Sequence, residues 1–163
     1  MDNTDAGCRV IRPVPLLERW QYGNGGRPLD LLSSSFMLPS LKWAEVIISD
    51  NYGLFRKSAF VRIAGTGETG VEWTVDLKEG GQYELFAFHA FSFPVQEGDC
   101  HSYIVYCKDG EEKVDVAVPR VGGWFSLGTY EFESGKNKVY LSDKGHENQW
   151  VVADAMKWVK LND

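Results

Sequence analysis

No apolar run in this chain approaches the ~20 residues needed to span a bilayer as a helix. Nor is there a Lys/Arg cluster: Lys and Arg total 17 against 23 Asp and Glu, a formal charge of −6. The excess lies entirely in residues 46–163, which hold twelve basic and eighteen acidic residues, whereas residues 1–45 are balanced. An acidic chain without a basic face lacks the electrostatic footprint of a nucleic-acid binder. The same balance argues against docking on an anionic membrane. Met1-Asp2-Asn3-Thr4-Asp5 has neither a basic n-region nor an apolar h-region, so it does not read as a signal peptide. The chain is then either cytoplasmic or part of a longer secreted protein.

Cysteine is scarce and badly spaced. Cys100 and Cys107 flank a strand-like run, which would hold them about 23 Å apart, too far to bridge. Either could pair with Cys8, but free buried thiols are the plainer reading. A chain of this length buries roughly 70% of its unfolded surface, so it needs no disulfide or metal staple. Asp99-Cys100-His101 with a distant Cys107 lacks the close ligand pairs of a zinc site. Histidine occurs only at 89, 101 and 146. No Gly-x-Ser-x-Gly elbow is present, and no pair of acids stands out as a glycosidase dyad.

Aromatic residues are abundant: six Trp, seven Tyr and nine Phe. Large flat side chains suit the half-buried faces of sheets. Helical periodicity is confined to a turn or so at Pro15–Trp20. Tyr22 to Pro28 is turn-rich, and Leu29 to Leu41 has no clear period, so residues 1–45 read as an irregular extension or the tail of a preceding domain. From residue 46 onward, short strands alternate with turn signals. Val71, Trp73, Val75 and Leu77 alternate with Glu72, Thr74 and Asp76, a strand with one buried and one wet face. Tyr83 to Phe91 carries one charge and reads as a central strand covered on both faces. Asp109-Gly110 between two strand-like runs is a hairpin signal. Val151 to Trp158 is helix-compatible by propensity, but the surrounding strands favour a strand there. About nine strands at this spacing predict an all-β, antiparallel, jelly-roll-like β-sandwich over residues 46–163.

Several stretches carry a resemblance, in order along residues 46–161. Gly122 to Phe132 (GGWFSLGTYEF) is similar to the G-W-x-x-L-G-x-Y-x-F run of the golvesin/xanthan-lyase carbohydrate-binding-like domains. Val139-Tyr140-Leu141-Ser142-Asp143 resembles their next strand, and Val151 to Trp158 (VVADAMKW) their closing V-V-A-D-A-V-R-F strand. Asp50-Asn51, Trp73 with Gly81-Gln82-Tyr83-Glu84, and Tyr103 to Tyr106 with Asp109-Gly110 resemble further family elements. The resemblance implies a β-sandwich accessory domain found beside lyases, amidases, peptidases and oxidoreductases of secreted bacterial proteins. His89 to Phe93 departs from the Pro-containing stretch expected there.

Sugar rings stack on exposed aromatic faces while amide and carboxylate neighbours bond their hydroxyls. Trp150, at the edge of a polar loop beside Asn148 and Gln149, is the leading candidate for carbohydrate contact. Tyr52 and Phe55, after Asp50-Asn51, come second, and the plain alternative is that these aromatics meet a neighbouring domain. Trp73, Trp124 and Trp158 lie on strand patterns and read as core. Asp50, Asn51 and Asp143 supply the hard oxygens that calcium prefers, although building turns accounts for the same residues. Asp154 sits in an apolar strand, where a carboxylate must be bonded; it is expected to accept backbone or indole N–H groups. These readings predict a non-catalytic module, secreted, periplasmic or on the cell surface, without a cofactor unless calcium. Its expected partners are a polysaccharide or cell-wall glycan and adjacent domains of a larger chain. The rivals are a purely structural domain packed on a catalytic one, and a hydrolase or lyase with a deep acid/base cleft.

Overall fold

The computed structural model describes residues 1–24, 26–27, 29–33 and 40–162, excluding the side chains of 30–33. Among these, β1 (Cys8–Ile11), α1 (Leu16–Tyr22), β2 (Asp30–Ser33), β3 (Ala44–Ile47) and β4 (Ser58–Ile63) come first. They are followed by β5 (Gly70–Leu77), β6 (Gly81–His89), β7 (Cys100–Cys107) and β8 (Gly110–Ala117). β9 (Gly123–Phe132), β10 (Gly135–Ser142), β11 (Trp150–Ala153) and β12 (Met156–Lys160) complete the chain.

One layer is a five-stranded sheet in the order β1-β5-β10-β7-β8. Facing it are a four-stranded sheet, β11-β4-β3-β2, and a three-stranded sheet, β12-β6-β9. Every pairing is antiparallel except β2 with β3. The expected antiparallel sandwich is therefore present. Residues 150–160 stitch the two smaller sheets together: β11 pairs with β4, the chain bends at Asp154-Ala155, and β12 pairs with β6. The Phe88 N–H donates to the Ala155 carbonyl at this bend (2.9 Å).

The core follows from alternation. Val71 and Trp73 of β5, Val139 and Leu141 of β10, and Val105 of β7 meet Leu85 of β6, Phe132 of β9 and Met156 of β12, all fully buried. A smaller cluster packs Val46, Ile48, Ala59, Val61 and Val152 against Ala90 and Phe93. The Asp-Gly hairpin forms as read, with Cys107 opposite Gly110 and Gly110 at φ 118°.

The N-terminal residues differ from expectation. Rather than an irregular extension, they add an edge strand to each layer, β1 beside β5 and β2 beside β3. Their short stretches carry little periodicity because pairing, of β1 with the distant β5 and of β2 with the next strand β3, rather than local pattern makes them strands. Gly7 approaches β5 closely: its carbonyl accepts the Thr74 N–H (2.7 Å), and a Cβ there would fall 2.2 Å from the Thr74 oxygen. Parts of the turn-rich Tyr22–Pro28 stretch (25 and 28) and residues 34–39 of the Leu29–Leu41 stretch lie outside the described residues.

Candidate functional site

The wet face of the five-stranded sheet is concave. Outward-facing side chains of β5, β10 and β7 line an open groove of about 880 Å³ that reaches from Gly7 and Arg9 to Glu111. Glu72 points outward yet is almost covered, because Arg9 (2.7 Å) and Lys138 (3.6 Å) close over its carboxylate. The Lys138 ammonium also sits 4.0 Å above the Tyr106 ring, a favourable cation–π distance. Thr74, Asp76 and Lys136 supply further hydrogen-bonding groups along the floor, which the backbone at Asn137 also borders. The Asn137 side chain is fixed by donating to the Glu133 and Gly135 carbonyls. The groove thus offers fixed donors and acceptors with its charges locally compensated.

An aromatic patch occupies the outer face of the three-stranded sheet. Phe86 and Phe88 of β6 face outward opposite Lys157 and Trp124. The Lys157 ammonium lies 4.5 Å from the Phe86 centroid and 4.6 Å from that of Trp124. Tyr52 leans over them, 5.1 Å from Trp124 and 5.6 Å from Phe88. The strand read as covered on both faces is covered on this side by a ring from a loop and by a lysine. Trp124 is accordingly an outer-face residue rather than core, whereas Trp73 is core as expected.

The residues singled out in the sequence fall in several places. Tyr52 is 41% exposed within the aromatic patch, and Phe55 is 97% exposed three residues on, beside an equally bare Leu54. Trp150 is half-buried and packs on Phe93, with ring centroids 6.1 Å apart. Asn148 is exposed with φ 64°. Gln149 is not available to a ligand: it is 2% exposed, donates to the Cys100 carbonyl (2.6 Å) and accepts the His146 N–H (3.0 Å). Its amide closes the loop instead.

Asp143 separates from Asp50 and Asn51. Its buried carboxylate is held by Arg62 (2.6 Å) and accepts hydrogen bonds from Gly67 N–H (2.8 Å) and the Thr69 hydroxyl (2.7 Å). A guanidinium thus fills the place a cation would take. Asp50 accepts the Ser92 N–H (2.7 Å), and Asn51 donates to the Val46 carbonyl (3.0 Å). Asp154 accepts the backbone N–H of Tyr52 (3.1 Å), the kind of role expected for it. Burial pushes its carboxyl up to about 8, with Asp2 and Asp50 adding to the rise and the Tyr52 N–H opposing it.

His89 and His101 lie 5.9 Å apart between the layers, both almost inaccessible. Burial lowers both to about 4, so both rings are neutral near pH 7. Cys8, Cys100 and Cys107 are free thiols. No helix among the described residues is long and apolar enough to cross a membrane.

The groove residues escaped the sequence reading. Alternation marks Glu72, Thr74 and Asp76 as wet, but concavity arises only when β10 and β7 lie alongside. No curated protein matches the chain. Among solved structures, a Paenibacillus xanthan lyase aligns over 99% of this chain and 13% of its own, at 22% identity and a TM-score of 0.68. At that identity the likeness is one of fold. A mannan-binding module from Man5C aligns over 64% of this chain and 83% of its own, at 12% identity and a TM-score of 0.42. A Paenibacillus cycloisomaltooligosaccharide glucanotransferase complexed with cycloisomaltoheptaose aligns over 71% and 16%, at 13% identity and a TM-score of 0.47. Both similarities are too slight to bear on the site. The profile of the Golvesin C-terminal domain matches residues 33–160, most of the chain and every strand from β3 to β12. The chain belongs to the Golvesin C-terminal domain family.

Proposed function

We propose that this chain is a non-catalytic accessory module that holds a larger secreted protein on a polysaccharide or cell-wall glycan, with the glycan lying in the groove of the five-stranded sheet. One observation carries the reading: an open groove of about 880 Å³ crosses all five strands, floored by planar polar side chains. Its volume is within the roughly 300–1,000 Å³ of typical ligand sites. Sugar hydroxyls need donors and acceptors fixed in place, and Glu72 and Arg9 hold one another there. Tyr106 supplies a ring wall beneath the Lys138 ammonium. An open site of this kind loses little water on binding, so affinity is modest and depends on repeated contacts along a polymer.

The test is retention on insoluble polysaccharides and mobility in polysaccharide-containing native gels. Arg9→Ala with Lys138→Ala should weaken retention about tenfold, the loss of a few hydrogen bonds, while Phe55→Ala retains like wild type. Binding to no glycan, or retention untouched by the groove substitutions, would refute the reading.

A second reading is a structural module that docks on its parent protein through the Tyr52 loop. It is favoured by Leu54 and Phe55, 86% and 97% exposed beside the aromatic patch. Under it, Phe55→Ala loosens contact with the parent chain and the groove variants do nothing.

A further inference from the structure

The chain between β1 and β2 borders a cavity of about 340 Å³ that shares no lining residue with the groove. Its size lies near the lower end of the roughly 300–1,000 Å³ of ligand sites. Arg12, Arg27, Lys42 and Arg62 line it, and Glu18 is the one acid among the described lining residues. Positive charge is thus gathered at one place in a chain whose formal charge is −6. The floor is rigid. Trp43 and Arg62 are 4% and 9% exposed. The Trp43 indole N–H donates to the Thr69 hydroxyl (3.0 Å), and Arg62 is held by Asp143 (2.6 Å) and donates from Nε to the Ile63 carbonyl (2.8 Å). Pro13, Pro15 and Leu29 add apolar flanks.

The cavity already binds a carboxylate, and it is the chain's own. Arg12 clasps Glu18 with both ends of its guanidinium, Nη1 to Oε2 (3.2 Å) and Nη2 to Oε1, and the Arg27 N–H donates to Oε1 as well. The Arg12 clasp first, then the Arg27 N–H, hold that carboxyl down to about 2, so it is ionised at neutral pH. Glu18 belongs to α1, a helix with little other hold on the fold. None of its residues is buried, Pro15 gives it no side-chain cap, and Leu16, Leu17 and Trp20 are bare. A segment without buried apolar contacts opens at small cost.

We propose that the cavity is a second ligand site, for the carboxylate of an acidic sugar, and that Glu18 occupies it until such a ligand displaces it. The planar fork of Arg12 fits a two-oxygen anion. A bare ion would leave the proline and leucine flanks against water, whereas a sugar acid sets the C–H face of its ring on them. On displacement α1 swings off with Glu18, and the exposed Lys42 adds its charge to the site. Because the cavity is separate from the groove, the inference stands whatever the groove binds.

The ¹⁵N-labelled full chain is titrated at low salt with sodium trigalacturonate, and the Trp43 indole N–H signal reports the affinity. The methyl ester of the same trisaccharide and sodium phosphate serve as comparisons. Trigalacturonate should bind saturably and shift Arg12, Arg27 and Trp43, with the ester silent and phosphate at least about tenfold weaker. Glu18→Gln keeps an acceptor for the Arg27 N–H but removes the competing charge. It should tighten trigalacturonate about tenfold, because the closed fraction no longer subtracts from the apparent affinity. Lys42→Ala should weaken it several-fold, the scale of an exposed charge contact. No binding, an ester or phosphate that binds as well, shifts gathered at Arg9 and Lys138, or a Glu18→Gln that binds no tighter overturns the proposal. Should a variant not fold, the three wild-type titrations decide.

Discussion

Asp143 was legible as a turn residue rich in oxygen, but its partner was not. Arg62 sits in Phe60-Val61-Arg62-Ile63, a strand whose neighbours are apolar, and only the fold brings the two together at 2.6 Å with side chains 10% and 2% exposed. Thr69 and Trp43 join the network, the indole N–H donating to the Thr69 hydroxyl (3.0 Å). Breaking a buried pair leaves an uncompensated charge, which outweighs the modest net value of the pair itself. Asp143→Ala should therefore cost about 3–5 kcal/mol in urea unfolding. A loss under about 1 kcal/mol, the value of an exposed pair, would show that Arg62 finds water instead. Gln149 teaches the converse lesson: a polar residue beside a polar loop looked like a ligand contact, but its amide is consumed by two backbone groups.

At the scale of elements, periodicity gave the strands their faces, since β5 buries Val71, Trp73 and Leu77 as its alternation requires. It could not give partners. β1 became a strand through a neighbour 65 residues away, Cys8 opposite Trp73, and β2 through one 14 residues away, Asp30 opposite Ala44. The register that sets His89 of β6 against His101 of β7 across the sandwich was equally hidden. These rings have the Phe93 ring, Tyr103, the Trp150 carbonyl and, at longer range, Asp50 around them. Both fall from an ordinary value near 6.5 to about 4 through burial. The unfolded chain thus binds protons between pH 6.5 and 4 that the folded chain refuses, so stability is full above 6.5 and is lost as pH falls through that window. By linkage each ring contributes up to about 3 kcal/mol to the loss at pH 4. Urea midpoints measured from pH 7.5 to 4 should fall accordingly in wild type and less steeply in His89→Phe. The Asp154 carboxyl, raised to about 8, works the other way and gains stability as pH falls, so the difference between the two proteins is the test: profiles of equal slope in wild type and His89→Phe would contradict the burial of the neutral rings.

At the scale of the molecule, strand count, acidity and the ordered motifs pointed to an accessory sandwich, and the match over residues 33–160 bears out the family. The binding face was the part that strand pattern could not reveal. Arg9, Glu72, Tyr106 and Lys138 lie on three different strands and become one surface only through the order β1-β5-β10-β7. The central claim is that this surface holds glycan. Its most direct test is a ¹H–¹⁵N chemical-shift map of the labelled chain titrated with oligosaccharides of any polysaccharide that retains it. Shifts should gather at Arg9, Thr74, Tyr106, Asn137 and Lys138; shifts gathered at Tyr52, Leu54 and Phe55, with the groove silent, would contradict the account.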